Sequence, residues 1–205
     1  MASLPKYDLM ELPWTDVANW LKAGNDLVMI PVGSVEKHGS HVPLGVDSHT
    51  TMGSVERAAV KAKVVYSPLL PFGVSPHHMG EAGWGTGSVS LPTEVYRQVL
   101  YAIGRSLIFA GFNKLVYVSH HGTNMGAQGD ALRTLRAETG CFCAYNPSFF
   151  KSSGLCADSA LFSSSACERE SLREPITYSW NASHAYGVTI ATISASTLAY
   201  SLISR

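Results

Sequence analysis

Residues 27–47 read LVMIPVGSVEKHGSHVPLGVD. The first six form a continuous apolar run, which is typical of a parallel β-strand covered on both faces. Polar residues follow at once, and they include Glu36, His38 and Asp47. A second apolar run, LVYV at 115–118, leads into SHHGTN, which contains His121. Ligands bind at the carboxyl edge of parallel sheets, so we expect both segments to deliver their polar side chains to one place.

The chain alternates between helical and strand patterns over its first 146 residues. Helical spacing predicts helices around 16–23, 48–62, 93–108 and 126–139, and further strands begin near residues 63, 114 and 141. Thr93 is predicted to cap the third helix and Gly140 to end the fourth. This order predicts an α/β fold with a mainly parallel sheet and helices on both faces. We expect a single domain over residues 1–205.

Composition excludes several classes of function. Lys plus Arg and Asp plus Glu number 15 each, which leaves no electrostatic footprint for nucleic acid or for a membrane surface. No apolar leader and no membrane-length apolar run is visible, so we expect a soluble, cytoplasmic protein. The 46% hydrophobic content predicts extensive burial in a core or in subunit contacts. The four cysteines match no zinc-ribbon pattern and are interpreted as reduced thiols, with Cys141 and Cys143 on one strand face.

The polar residues after the two apolar runs suit a metal site. Glu36 and His38 are two apart, so in an extended segment they share one face. The segment HVPLGVD can turn back and bring Asp47 beside them, and His121 arrives from the second strand. Two carboxylates and two imidazoles suit Zn²⁺ or Mn²⁺, which would activate water. The alternative is that the acids are helix caps or turn formers and the histidines lie on the surface. We interpret the neighbouring histidines as outer-shell or surface residues: His41, His49 and His120.

Two further segments are candidates for contact with a substrate. The Gly-rich loop 76–87 carries His78 and Trp84, and such a loop can close over a ligand. Its alternative is an ordinary surface turn. Trp180 and His184 are four apart, where a tryptophan can cover a substrate and a histidine can transfer a proton. Their alternative is a helix-face pair that packs on the core.

These motifs resemble the creatininase family. Its first signature, P-V-G-S-x-E-Q-H-G-x-H-x-P-L-x-x-D, is similar to PVGSVEKHGSHVPLGVD at 31–47, and its second, N-G-H-G-G-N, is similar to SHHGTN at 119–124. A family loop that ends P-G-T-x-S-L is similar to TGSVSL at 86–91. The resemblance implies a three-layer α/β/α sandwich, paired metals and ring-like homo-oligomers such as hexamers.

The resemblance also implies roles for individual residues. Glu36, Asp47 and His121 would hold one metal, and His38 would hold a second with Asp47 as the bridge. Trp180 would cover the substrate and His184, as the catalytic residue, would transfer the proton. His78 and Trp84 are expected to contact the substrate as well.

Two departures from the family pattern affect the second metal and the end of the chain. Thr123 stands where creatininase itself has a glutamate, and HAYGVTIATIS at 184–194 contains no acid. We therefore expect one firm divalent site, for Zn²⁺ or Mn²⁺, and a weak second one. The segment after about residue 184 is expected to be truncated, divergent or altered by a reading-frame change.

The predicted function is that of a metal-dependent hydrolase which cleaves a C–N bond of a cyclic or small amide with metal-activated water. One alternative keeps the site but acts on a formamide or on a sugar-derived cyclic ketone. Another is a catalytically impaired, metal-binding homologue. The expected partner is a small-molecule substrate, with neither nucleic acid nor membrane.

Overall fold

The computed structural model describes residues 4, 6–80 and 86–147, and its centre is a four-stranded parallel sheet. The strands are β1 (Leu27–Val32), β2 (Val65–Tyr66), β3 (Lys114–Ser119) and β4 (Phe142–Pro147). Their order in the sheet is β2-β1-β3-β4. The predicted α/β class is therefore confirmed.

Helices cover both faces of this sheet. They are α1 (Trp14–Lys22), α2 (Val46–Ala62), α3 (Thr93–Phe109) and α4 (Met125–Thr139). Alternate residues of β1 enter different clusters: Val28 and Ile30 pack with side chains of α1, α3 and α4, and Met29 packs with those of α2. This period of two follows from the pleat of a strand. The result is the three-layer α/β/α arrangement that the resemblance implied.

The predicted ends of the helices are partly wrong. Thr93 is the first residue of α3 and Pro92 takes the cap position, with no side-chain cap bond. A proline fits there because its fixed φ suits the chain just before a helix and it has no N–H to leave unpaired. Gly140 does end α4, in a left-handed conformation with φ of 71° that glycine adopts without strain.

The strand order fixes where a site can form. From β1 the chain goes to β2 on one side and then crosses to β3 on the other, so the order reverses between β1 and β3. In register, Val32 pairs with Ser119, so both strands end side by side. The crevice outside the carboxyl ends at such a switch point is where ligands bind in open α/β sheets. Within the described residues, no helix is long and apolar enough to cross a membrane.

Candidate metal centre

The structure brings the four predicted metal ligands together at this crevice. Nδ1 of His121 lies 3.2 Å from Oε1 of Glu36 and 3.0 Å from Oδ2 of Asp47. Nε2 of His38 lies 3.5 Å from Oε1 of Glu36 and 3.5 Å from Oδ1 of Asp47. Each imidazole therefore contacts both carboxylates. Glu36, Asp47 and His121 are buried, with 4%, 6% and 5% of their surface exposed.

Each of these separations is close to the distance between neighbouring ligand atoms of a bound metal ion, with Asp47 offering Oδ1 to His38 and Oδ2 to His121. Metal–ligand bonds of 2.0–2.2 Å in a tetrahedron place the ligand atoms roughly 3.3–3.6 Å from one another. The four measured separations, 3.0–3.5 Å, are close to that value. Oδ2 of Asp47 is buried and has no hydrogen-bond partner among the described residues; its contact with His121 is a charge contact without hydrogen-bond geometry. A buried oxygen in that state suits a cation.

The loop after β1 and the first turn of α2 position the two carboxylates. The N–H of Glu36 donates to the carbonyl of Leu44 at 2.9 Å, which folds the segment 36–44 back on itself. Asp47 lies in the first turn of α2, where the helix dipole favours a negative charge. The next residue, Ser48, donates to the carbonyl of Ser34 at 3.0 Å and so ties the helix to the strand end. A Cβ at Gly33 would lie 2.9 Å from the Ser48 Cα, so this approach requires glycine.

His121 is oriented by groups on the opposite side of its ring. Its Nε2 lies 2.9 Å from the carbonyl of Val74, and a carbonyl only accepts, so Nε2 carries a hydrogen. The hydroxyl of Thr123 contacts both this Nε2 and the same carbonyl. Nδ1 is thus the nitrogen that faces the two carboxylates. In the neutral ring its lone pair is available to a metal, the usual arrangement of a histidine ligand with its other nitrogen engaged.

A buried pair of serines connects two of the ligands. Oγ of Ser75 lies 3.0 Å from Nε2 of His121 and 2.8 Å from Oγ of Ser34. Ser34 in turn lies 3.5 Å from Oε2 of Glu36, at the long limit of a hydrogen bond. Both hydroxyls are fully buried, so they are held in these contacts. Sequence reasoning missed this pair, since the two serines are 41 residues apart and share no local pattern.

One amide side chain fastens the surrounding loops. Asn124, which is fully buried, accepts from the N–H of Val74 at 3.0 Å and donates to the carbonyl of Gly33 at 3.0 Å. It therefore joins the segment after β3 to the segments after β1 and β2. The three loops that carry the site meet at this one residue.

The electrostatics of the centre call for positive charge. Burial alone would raise the pKa of Glu36, but the contact with His121 outweighs it and lowers the pKa to about 2. Burial would likewise lower the pKa of His121, yet its contacts with Asp47 and Glu36 raise it to about 10. Without a metal, a protonated His121 supplies the cation between the two carboxylates. A divalent ion would take over this role and leave the imidazole neutral.

The remaining predicted residues divide into four groups. His78 lies at the centre, half-buried, with Nε2 3.7 Å from Oε1 of Glu36, and burial lowers its pKa. His120 faces away, with Nε2 3.1 Å from Oγ of Ser54 in α2. His41 and His49 are exposed. Outside the described residues lie the other candidates: Trp84, Trp180 and His184.

Sequence reasoning did not include His77 in the site. The structure places a ring nitrogen of His77 and one of His78 within 4.8 Å of each other and of a carboxylate oxygen of Glu36. The His77–His78 pair in the sequence was the available signal, but nothing local showed that the turn at 76–78 faces Glu36.

Comparison with known proteins identifies the family of the chain. A sequence model of the creatininase family, described as creatinine amidohydrolase, matches residues 10–196. The chain belongs to the creatininase family. Among solved structures, it resembles a mutant creatininase of Zn-Zn type with a TM-score of 0.61 and 25% identity, over 72% of this chain and 60% of that one. The name of that structure supports a divalent metal for the family.

Two curated relatives of this creatininase-family chain have different activities. It is 32% identical over 120 residues to the mycofactocin precursor peptide peptidase of Mycobacterium ulcerans (strain Agy99). That match covers 54% of this chain and 46% of the relative. It is 31% identical over 98 residues to the 3-dehydro-scyllo-inosose hydrolase of Thermotoga maritima, over 47% of this chain and 30% of the relative. The matched part of the chain thus spans less than half the length of either relative. Both relatives are named for cleavage reactions, with unlike substrates.

Proposed function

We propose that this protein is a metal-dependent hydrolase that cleaves a C–N bond in a small or cyclic amide. The observation that carries the proposal is the convergence of Glu36, His38, Asp47 and His121 at the switch point of the sheet, with ligand-to-ligand separations of 3.0–3.5 Å. The class of reaction is supported by the family match and by a peptidase relative, since both imply amide cleavage. A peptide substrate was not among the sequence-based expectations.

The residues of the chain have distinct tasks in this proposal. Glu36 and Asp47 supply the negative charge that offsets an ion, and His38 and His121 complete its donors. A divalent ion held there would lower the pKa of bound water and polarise a carbonyl. Ser34 and Ser75 hold Glu36 and His121 in place through hydroxyl contacts. The metal is Zn²⁺ or Mn²⁺, since both accept mixed nitrogen and oxygen donors.

The substrate approaches from the side of His78 in this proposal. His78 is half-buried and borders the carboxylates, so it can contact a group that sits over the ion. By resemblance to the family, Trp180 covers the substrate and His184 passes a proton to the leaving nitrogen. Trp84, in the Gly-rich loop, contacts the substrate as well. The same resemblance supports a ring-like homo-oligomer, and the cytoplasmic location expected from the sequence is part of the proposal. Light scattering on the purified chain tests the oligomer.

A second candidate function keeps the centre and changes the substrate to a sugar-derived cyclic ketone. The Thermotoga maritima relative favours it, because that protein is named for hydrolysis of a ring ketone. In both reactions activated water would add to a carbonyl carbon; the amide would then lose its C–N bond, and the ring ketone a C–C bond next to the carbonyl. The two candidates therefore differ in the pocket around the ion more than in its ligands.

A substrate panel separates these candidates. The full chain, loaded with Zn²⁺ or with Mn²⁺, is incubated with creatinine and other cyclic amides, formamides, short peptides and sugar-derived cyclic ketones. We expect cleavage of at least one amide and its loss in Asp47→Asn, with His49→Gln as the matched control. Turnover of ketones alone would favour the second candidate. A loaded protein with no turnover of any compound would contradict both and indicate a metal-binding homologue without catalysis.

A further inference from the structure

One face of α2 carries a metal ligand and two hydroxyl side chains. Asp47, Thr51 and Ser54 are spaced i, i+4 and i+7 along this helix, so they form one stripe on its surface. Side chains of α2 and β3 pack together in the same core cluster, so this side of the helix lies against the strand. His120 and His121 follow the end of that strand, within reach of the stripe.

His120 is attached to this stripe by two hydrogen bonds. Its backbone N–H donates to Oγ1 of Thr51 at 3.1 Å. Its ring nitrogen Nε2 lies 3.1 Å from Oγ of Ser54, where either group can be the donor. Thr51 is fully buried and His120 is half-buried, so water competes little for the first of these bonds. We call this pair of contacts the His120 clasp, and it joins the middle of α2 to the chain directly after β3.

The clasp lies next to a metal ligand in each of the two segments that it joins. Asp47 is about one helical turn before Thr51, and His121 is the residue after His120. Oδ2 of Asp47 and Nδ1 of His121 are 3.0 Å apart. The two ligands are distant in the sequence, so their separation depends on how α2 is held against the end of β3.

The other ties of these segments lead to different parts of the chain. Ser48 donates to the carbonyl of Ser34 at 3.0 Å, which fixes the start of α2 to the loop after β1. Asn124 joins the chain after β3 to the segments after β1 and β2. In the family signature N-G-H-G-G-N the position of His120 is a glycine, so the ring contact of the clasp is not part of that signature.

We propose that His120 is a positioning residue, which sets the separation of Asp47 and His121 through the clasp. The proposal deepens the proposed function and rests on it. Ligands that are held in place before an ion arrives lose less conformational entropy when they bind it, so the affinity for the ion is higher. In this role His120 acts through its neighbours and is not itself a ligand.

Cobalt binding to single and double variants tests this role. The full chain is stripped with a chelator and titrated with Co²⁺, with affinity from equilibrium dialysis and ligand geometry from the visible absorption bands. We expect His120→Ala and Ser54→Ala each to change the bands and to lower the affinity for the most tightly bound Co²⁺ about 3- to 10-fold, the effect of one ordinary hydrogen bond. The double variant should lose no more than His120→Ala alone, because both substitutions remove the same contact.

Two further variants serve as rescue and control. His120→Gln keeps a polar group within reach of Ser54 and should restore most of the Co²⁺ affinity. His49→Ala removes an exposed histidine from the same helix and should bind Co²⁺ as the wild type does. Ser54→Ala is the smaller truncation and carries the test if His120→Ala does not fold.

Urea unfolding of the metal-free variants separates positioning from a general effect on the fold. Lower stability of the single variants with unchanged Co²⁺ affinity would overturn the proposal. Losses that add in the double variant would also overturn it, and so would an equal loss in His120→Gln and His120→Ala. Each of these results leaves the proposed function intact. A wild-type chain that binds no Co²⁺ would refute the proposed function, and the role of His120 with it.

Discussion

Removal of the Ser75 hydroxyl should weaken metal binding, although Ser75 is not itself a proposed ligand. Its Oγ is fully buried and lies 3.0 Å from Nε2 of His121 and 2.8 Å from Oγ of Ser34. Loss of a group that orients a metal ligand typically costs 10–100-fold in affinity, about 1.4–2.7 kcal/mol. In Ser75→Ala, His121 keeps its contacts with Val74 and Thr123. We therefore expect Ser75→Ala to lower the metal affinity by about 10-fold, the lower end of this range.

The same substitution should also lower the free energy of unfolding of the metal-free protein. Ser34 loses its 2.8 Å contact with Ser75 and keeps the 3.5 Å contact with Glu36. A buried hydroxyl left without a good partner lowers the free energy of unfolding by about 1–3 kcal/mol. Ser67→Ala is the matched control, because Ser67 is buried and donates to the carbonyl of Pro68 away from the centre. Urea unfolding in chelator and competition for Zn²⁺ with a chromophoric chelator give the two quantities.

A Zn²⁺ affinity of Ser75→Ala within about twofold of the wild type would refute the orienting role of Ser75, since that loss is below the range for an orienting group. An equal loss of Zn²⁺ affinity in Ser67→Ala would also refute it, because the effect would then be general destabilisation. A weaker affinity in Ser75→Ala alone would support the role of the serine pair.

Four other outcomes are expected. Asp47→Asn should reduce Zn²⁺ affinity more than His38→Gln does in equilibrium dialysis, because it also removes a buried charge; equal losses would contradict this. Zn²⁺ at about 1,000 times its dissociation constant should raise the unfolding free energy by about 4 kcal/mol in urea titrations. The raised pKa of His121, about 10, means that an ion displaces its proton. Zn²⁺ affinity should therefore rise about tenfold per pH unit between pH 7 and 9, with about one proton released per ion, and a pH-independent affinity would refute this. Gly33→Ala should destabilise the fold by about 1–3 kcal/mol and lower the Zn²⁺ affinity, because its Cβ would lie 2.9 Å from the α2 backbone. Gly129→Ala is the control and should have neither effect, since its Cβ would have no contact shorter than 3.7 Å.

Local patterns were sufficient to predict the strands and the proximity of Glu36 and His38. The apolar runs of β1 and β3 are buried as expected, with only Lys114 exposed at the start of β3. Glu36 and His38 do lie together, since Nε2 of His38 is 3.5 Å from Oε1 of Glu36. These features depend on residues close in sequence, where the regular alternation of side chains along an extended segment decides which way each one points.

Features that depend on distant segments could not be predicted in this way. Ser75 acts through residues 41 and 46 positions away, and His77 becomes relevant only because the turn at 76–78 folds over Glu36. The Thr93 cap was wrong for a different, local reason: both Thr93 and its neighbour Pro92 suit a helix start, and composition does not say which takes the cap position.

The two hydrogen bonds that the Asn124 side chain makes with Gly33 and Val74 have a consequence for the lifetime of a bound ion. Its one amide group links the chain after β1 to the chain after β2, and the residue itself follows β3. Local opening of any of these segments must break a buried hydrogen bond and expose the other two, so the segments should open as one cooperative unit. Amide hydrogen exchange at Val74 and at the neighbouring ligand segments should then proceed at a common slow rate. Opening of this unit would move the ligand segments apart together, so the two Asn124 hydrogen bonds should lengthen the lifetime of a bound ion.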